Sequence, residues 1–145
     1  MVAWRSRLPV FRTVAIVAGT VWLTDLITLG IKLSVGRPRP FEVLPEADPL
    51  IVASVGTSFP SGHASMSVAG AIVLASLAPR LAPLFALLAV FVTVSRVYVG
   101  VHYPLDVLAG AAIGAVVGTA VVLGLRRLRR TSGAPRRSEA QPPPG

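Results

Sequence analysis

Four stretches of the chain are apolar enough, and long enough, to be read as membrane-crossing helices, for which roughly 20 mostly apolar residues are needed. They run from about Val14 to Val35, Ser61 to Ala78, Leu81 to Val99 and Pro104 to Leu125. The second is short and carries no charge. The others hold only Asp25 and Lys32, Arg96, and Asp106 respectively. Prolines punctuate the pattern: Pro38 and Pro40 stop the first helix, while Pro83 and Pro104 suit the first turns of the third and fourth. The turn "APRLAP" between the second and third is tight enough to force an antiparallel pair. The remaining long connection, Phe41 to Phe59, carries Glu42, Glu46 and Asp48, three of the six acids, and so belongs in water. The expected fold is all-α, a polytopic membrane helix bundle of about four transmembrane helices. Gly110, Gly114 and Gly118 repeat every four residues, as do Ser67, Ala71 and Ala75; small residues at that spacing predict a close-packed helix seam.

Composition supports an integral membrane protein: 53% of the 145 residues are hydrophobic and the mean hydropathy is +0.71. No cysteine is present, which removes disulfides and thiolate metal sites, and two histidines with six acids offer few donors for a metal cage. The net charge of +8 lies mostly beside apolar runs and in the tail "RRLRRTSGAPRR", so it reads as juxtamembrane anchoring to the bilayer and not as a nucleic-acid surface. Arg5, Arg7 and Arg12 precede the first apolar run without a small-residue cleavage site, which reads as an uncleaved anchor. Residues 1–125 form the expected membrane domain, and 126–145, rich in Arg, Ser, Gly and Pro, a disordered basic cytoplasmic tail.

With both termini in the cytoplasm of a cell membrane, ten of the fourteen basic residues lie inside. The other four, Lys32, Arg37, Arg39 and Arg96, gather at the outer end together with Ser61, Gly62, His63, Ser95, His102 and Asp106. Each has a plain structural reading. Lys32 can snorkel to the interface, Arg37 and Arg39 can anchor headgroups, His63 can be a satisfied polar residue near a helix start, and Asp106 can complement the dipole of its helix. Arg96 is harder to place that way, since an arginine ending an apolar run needs a polar cavity or partner. Asp25, seven residues before Lys32 and so on nearly the same face, reads as a polar contact inside the bundle. The single lysine among fourteen basic residues and both histidines fall in this one cluster. Cations around the N-terminus of a helix opened by Ser61 and Gly62 make an anion site, with the backbone N–H groups of both residues pointing at the anion. His102 and Asp106 are four apart, close enough for the carboxylate to accept from one ring nitrogen and leave the other as base or nucleophile. The layout suits phosphoryl transfer.

These residues resemble the type 2 phosphatidic acid phosphatase family of membrane lipid phosphatases, whose site is shared with vanadium haloperoxidases. Lys32 through Arg39-Pro40 matches the family's first motif, Pro60 to His63 ("PSGH") its second, and Ser95, Arg96, His102 and Asp106 its third. The resemblance implies a lipid phosphatase acting on a lipid phosphate or polyprenyl diphosphate through a phosphohistidine. It implies His102 as nucleophile, Asp106 as its orienter, His63 as general acid, and Lys32, Arg39, Arg96, Ser61 and Gly62 as phosphate ligands, with no metal or other cofactor. Members commonly have about six membrane helices, so a minimal form, a shortened chain and a protomer completed by homo-oligomerisation all stay open. A phosphotransferase using the same intermediate, and a headgroup-binding protein without catalysis, are the competing functions.

The charge distribution makes the orientation testable. Single cysteines placed in the loop around Glu42, Glu46 and Asp48 should react with an impermeant maleimide in intact cells; protection of the loop with labelling of the tail would reverse the topology.

Overall fold

The computed structural model describes residues 10–44, 46, 49–51 and 56–132. The predicted positions of Arg5, Arg7, Asp48, Arg136 and Arg137, and most of the predicted tail, lie outside these residues. All regular structure among the described residues is helical: α1 Val10–Val35, the single turn α2 Pro40–Val43, α3 Gly62–Leu77, a short 3-10 turn Pro79–Leu81, α4 Ala82–Tyr98 and α5 Pro104–Ser132. The first helix begins four residues earlier than the apolar run suggests, taking in Phe11 and Arg12. Its end is set one step before the prolines: Gly36 takes a left-handed φ of +63° and its N–H donates to the Lys32 carbonyl at 3.1 Å, a backbone reversal that glycine adopts without a Cβ penalty. Gly100, at φ +77°, reverses the chain just past α4, where its N–H donates to the Val97 carbonyl at 3.0 Å. The fourth long helix does not stop at Leu125. It continues through Ser132, because Leu125, Leu128 and the intervening arginines are strong helix formers and the arginine heads reach water while the backbone stays hydrogen-bonded.

The protein is a multi-pass membrane protein. The helices containing α1, α4 and α5 are each long and apolar enough to cross a bilayer, and α3 is an apolar helix of 16 residues, about 24 Å long at 1.5 Å per residue. This shortest of the four long helices is the centre of the bundle: α3 packs against α1, α4 and α5, while α1 and α4 do not meet each other. Ala64, Ala69 and Val73 on α3 are fully buried, and Trp22, Leu87, Phe91, Leu108 and Val116 on the outer helices are exposed where lipid would cover them.

Two kinds of contact hold α3. Towards α1 the contact is polar. Thr20, Thr24 and Thr28 form a buried row whose hydroxyls each donate to the carbonyl four residues back at 2.7 Å, and Thr28 Oγ1 also lies 2.9 Å from Ser65 Oγ. In lipid the backbone and hydroxyls must be satisfied within the protein, and this row does so while keeping the helices close. Towards α5 the contact is backbone on backbone. A Cβ added at Gly110 would collide with the Ser61 carbonyl oxygen and one at Gly114 with that of Ser65, while at Gly118 it would stop 3.0 Å from the Ala69 carbonyl oxygen. The predicted glycine seam is therefore present, but its partner row is Ser61, Ser65 and Ala69. The row of Ser67, Ala71 and Ala75 noted in the sequence faces elsewhere: Ala71 and Ala75 line an apolar cavity of about 340 Å³ against α4. Both rows of α3 have four-residue spacing, so the period alone does not say which one meets α5.

Overpacking a closed seam costs roughly 1–3 kcal/mol. Gly110→Ala and Gly114→Ala should each lower the thermal unfolding midpoint in detergent by several degrees, Gly118→Ala by less. Gly124→Ala, where a Cβ meets nothing within 4 Å, should leave the midpoint unchanged. Equal midpoints for all four variants would mean that α3 and α5 are not in contact.

Candidate functional site

The seam places the start of α3 against the start of α5. The Ser61 N–H donates to the Asp106 main-chain carbonyl at 2.9 Å, and the Ser61 side chain caps α3 by accepting from the Ala64 N–H. Beside this junction a cavity of about 430 Å³ is lined by Lys32 and Asp25 from α1, Arg39, Gly62, His63 and Met66 from the start of α3, Arg96 from the end of α4, and His102, with Ile51 and Val101. Six of the sequence-predicted site residues, Lys32, Arg39, Gly62, His63, Arg96 and His102, thus converge on one space. Ser61 and Asp106 lie immediately behind it, both fully buried.

Two of the cations are held by backbone. Lys32 Nζ donates to the Thr57 carbonyl at 2.8 Å, and Arg39 donates through Nε to the Gly56 carbonyl at 3.2 Å and through Nη1 to that of Val101 at 3.5 Å. Arg39 also opens α2, where its N–H donates to Glu42 at 3.0 Å. Ser58 fastens the same segment by donating its hydroxyl to the Arg37 and Pro38 carbonyls. Arg96 donates from Nε to the hydroxyl of Ser95 at 3.3 Å. Three positive groups therefore project from three different parts of the chain.

The two histidines differ in surroundings. His63 is exposed to the cavity, whereas His102 is buried. Burial pushes the His102 imidazole down from its ordinary 6.5 to about 4, and the Arg39 and Lys32 charges act in the same direction. The Asp106 carboxylate and the Ser58 backbone pull the other way without prevailing. The ring is therefore neutral at neutral pH, with a free lone pair.

Two expectations from the sequence need correction. The Asp106 carboxylate does not hydrogen-bond the ring: His102 Nδ1 is 3.7 Å from Oδ2, beyond hydrogen-bond distance, and has no hydrogen-bond partner. The carboxylate is taken by Arg37, which donates to Oδ1 at 2.9 Å, and by the Tyr103 N–H, which donates to Oδ2 at 2.9 Å. Arg37 also stacks on the Tyr103 ring, 4.1 Å from its centroid, so this residue, read from the sequence as a headgroup anchor, holds Asp106 instead. The second correction concerns the helix N-terminus. The Ser61 N–H is used by the Asp106 carbonyl, because the glycine seam brings the two backbones together, which leaves the Gly62 and His63 N–H groups as the donors at the start of α3. Among the described residues no three His, Asp or Glu side chains converge as a metal-ligand set.

Residues 13–130 match the family model of the PAP2 superfamily. The chain is 39% identical over 84 residues to undecaprenyl-diphosphatase from Sulfolobus acidocaldarius, an alignment covering 57% of this chain and 41% of that protein. It is 37% identical over 119 residues to decaprenylphosphoryl-5-phosphoribose phosphatase from Mycobacterium tuberculosis, covering 79% of this chain and 63% of the relative. The chain thus spans less than two thirds of the length of either relative. The crystal structure of Aquifex aeolicus LpxE superimposes with a TM-score of 0.70 at 29% identity, covering 77% of this chain and 68% of that one.

Proposed function

The chain belongs to the PAP2 superfamily, and on that premise we propose that it is a membrane phosphatase that hydrolyses a lipid phosphate or polyprenyl diphosphate at the outer leaflet through a phosphohistidine. The observation that carries this reading is the single cavity in which Lys32, Arg39 and Arg96 surround two histidines at one end of an apolar bundle. Three cations against one carboxylate, Asp25, leave an excess of two positive charges on its lining, a match for a phosphate dianion. The Gly62 and His63 N–H groups at the start of α3 add directed donors. Both curated relatives described above carry a polyprenyl chain in their substrates' names, which favours a substrate whose apolar part stays in the bilayer while its phosphate enters the cavity.

In the proposed reaction a lone pair on neutral His102 attacks phosphorus. The bond from phosphorus to the lipid oxygen breaks, and His63 donates its proton to that departing oxygen. Water then attacks the phosphohistidine, His63 takes the proton back, and the N–P bond breaks to release inorganic phosphate. Lys32, Arg39 and Arg96 stabilise charge developing on the phosphoryl oxygens, so the chemistry needs no metal. Asp106, fixed by Arg37, presents a carboxylate within reach of His102 Nδ1 once the ring shifts slightly towards it, which would orient the ring and stabilise the positive charge it gains on attack. Ser61 supports this from behind as helix cap.

Substitution separates the histidines. His102→Ala should abolish turnover of every substrate. His63→Ala should lower turnover of an alkyl monoester by about 10²- to 10⁴-fold, the usual worth of general-acid help, and spare much of the rate for a nitrophenyl phosphate, whose leaving group needs no proton. The pH profile of kcat/KM should be bell-shaped. Since burial depresses His102 to about 4, the neutral nucleophile persists as pH falls below 6.5, and the acid limb should lie near pH 4, with the alkaline limb set by loss of the His63 proton. Retained nitrophenyl phosphate turnover in His102→Ala with loss in His63→Ala would reverse the assignment.

A further inference from the structure

Asp25 is a carboxylate inside a membrane-crossing helix, and the polar contact within the bundle expected for it is not made: among the described residues it has no hydrogen-bond or ion-pair partner. It lines the cavity instead. Its Oδ1 lies 3.9 Å from where a Cβ on Gly62 would stand, which puts it beside the residue that precedes His63. An intramembrane carboxylate is costly unless it faces water or a positive partner, and on this lining Asp25 shares the cavity with Lys32, Arg39, Arg96 and His63.

The charges around His63 make that pairing consequential. Lys32 approaches from α1, Arg39 from the segment before α2 and Arg96 from α4. All three disfavour a protonated imidazole, and a general acid must be protonated. On the α5 side the Asp106 carboxylate is occupied by Arg37 and Tyr103, which leaves Asp25 as the acid on the cavity lining. Its depth also fits. It lies seven residues before Lys32 on α1, about 10 Å further into the membrane at 1.5 Å per residue. A phosphate held near Lys32 and Arg39 would turn the oxygen that departs with the lipid inward, towards His63 and Asp25.

We propose that Asp25 is a positioning residue for His63, the carboxylate that keeps the imidazole protonated and turned towards the leaving oxygen. This inference rests on the assignment of His63 as proton donor. Asp25 does not touch the reacting atoms; it acts through the imidazole.

The test compares Asp25→Asn, Asp25→Glu, His63→Ala and the double variant Asp25→Asn/His63→Ala, using full-length protein in detergent with an alkyl phosphate monoester and nitrophenyl phosphate. Asp25→Asn should lose about tenfold or more in kcat on the alkyl monoester, a part of the roughly 10²- to 10⁴-fold that the general acid supplies, and little on nitrophenyl phosphate. Its alkaline limb should move down by about one pH unit, because removing the carboxylate makes the proton easier to lose. Asp25→Glu should restore the limb, and Asp25→Asn should cost nothing further in the His63→Ala background. Equal losses on both substrates with an unmoved pH profile would assign Asp25 to structure, and a rise in KM alone would assign it to headgroup binding; either overturns the proposal. If His63→Ala discriminates between the substrates and Asp25→Asn does not, this inference alone fails. If His63→Ala does not discriminate, the proton-donor assignment falls and this inference with it.

Discussion

The hydrogen bond from the Ser61 N–H to the Asp106 carbonyl, 2.9 Å long, joins the two parts of the chain on which the site depends. It is a backbone contact between the cap of α3 and the first turn of α5, and it forms because α5 carries glycine where α3 presses against it. A side chain at Gly110 would occupy the position of the Ser61 carbonyl. The glycine seam thus has a chemical consequence beyond packing: it fixes His63, on the first turn of α3, relative to His102, on the turn that leads into α5. Interiors so closely packed have little room to adjust.

Around that junction the fold solves a problem of like charges. Lys32, Arg39 and Arg96 are brought to one cavity from separate segments, and mutual repulsion opposes their convergence. The backbone carbonyls of Gly56, Thr57 and Val101 hold two of them in place. A fourth cation, Arg37, is neutralised by Asp106 and supported by the Tyr103 ring. The cavity consequently presents positive charge that is oriented before any anion arrives, which is the condition under which electrostatics contribute most to phosphoryl transfer. The apolar exterior of α1, α4 and α5 places the same cavity at the end of a bundle embedded in lipid, where a phosphate on a membrane-bound chain can reach it.

Much of this was legible in the sequence. Long uncharged runs gave the helices, and the spacing of Lys32, Arg39, the "PSGH" segment, Arg96, His102 and Asp106 gave the convergence, since antiparallel helices return their ends to one face. What escaped depended on side-chain direction in irregular backbone. Arg37 and Arg39 are two apart with no period to separate them, and only the turn made by Gly36 decides that one meets Asp106 and the other the cavity. The small residues of α3 form more than one four-residue row, so the period does not say which face meets α5. The buried Thr20, Thr24 and Thr28 row has helical spacing and could have been noticed; its residues look neither apolar nor charged and fit no motif. The continuation of α5 past Leu125 was hidden because arginines read as tail, although they favour helix.

In the proposed reaction His102 becomes covalently phosphorylated while His63 only moves a proton. The most direct measurement mixes the enzyme rapidly with a lipid substrate radiolabelled in its phosphate, denatures it in alkali and maps the label to peptides. The expected result is an alkali-stable, acid-labile label on the peptide containing His102, appearing before free phosphate reaches its steady rate. Label on the peptide containing His63, or none at any time in a preparation that turns over, would contradict the claim.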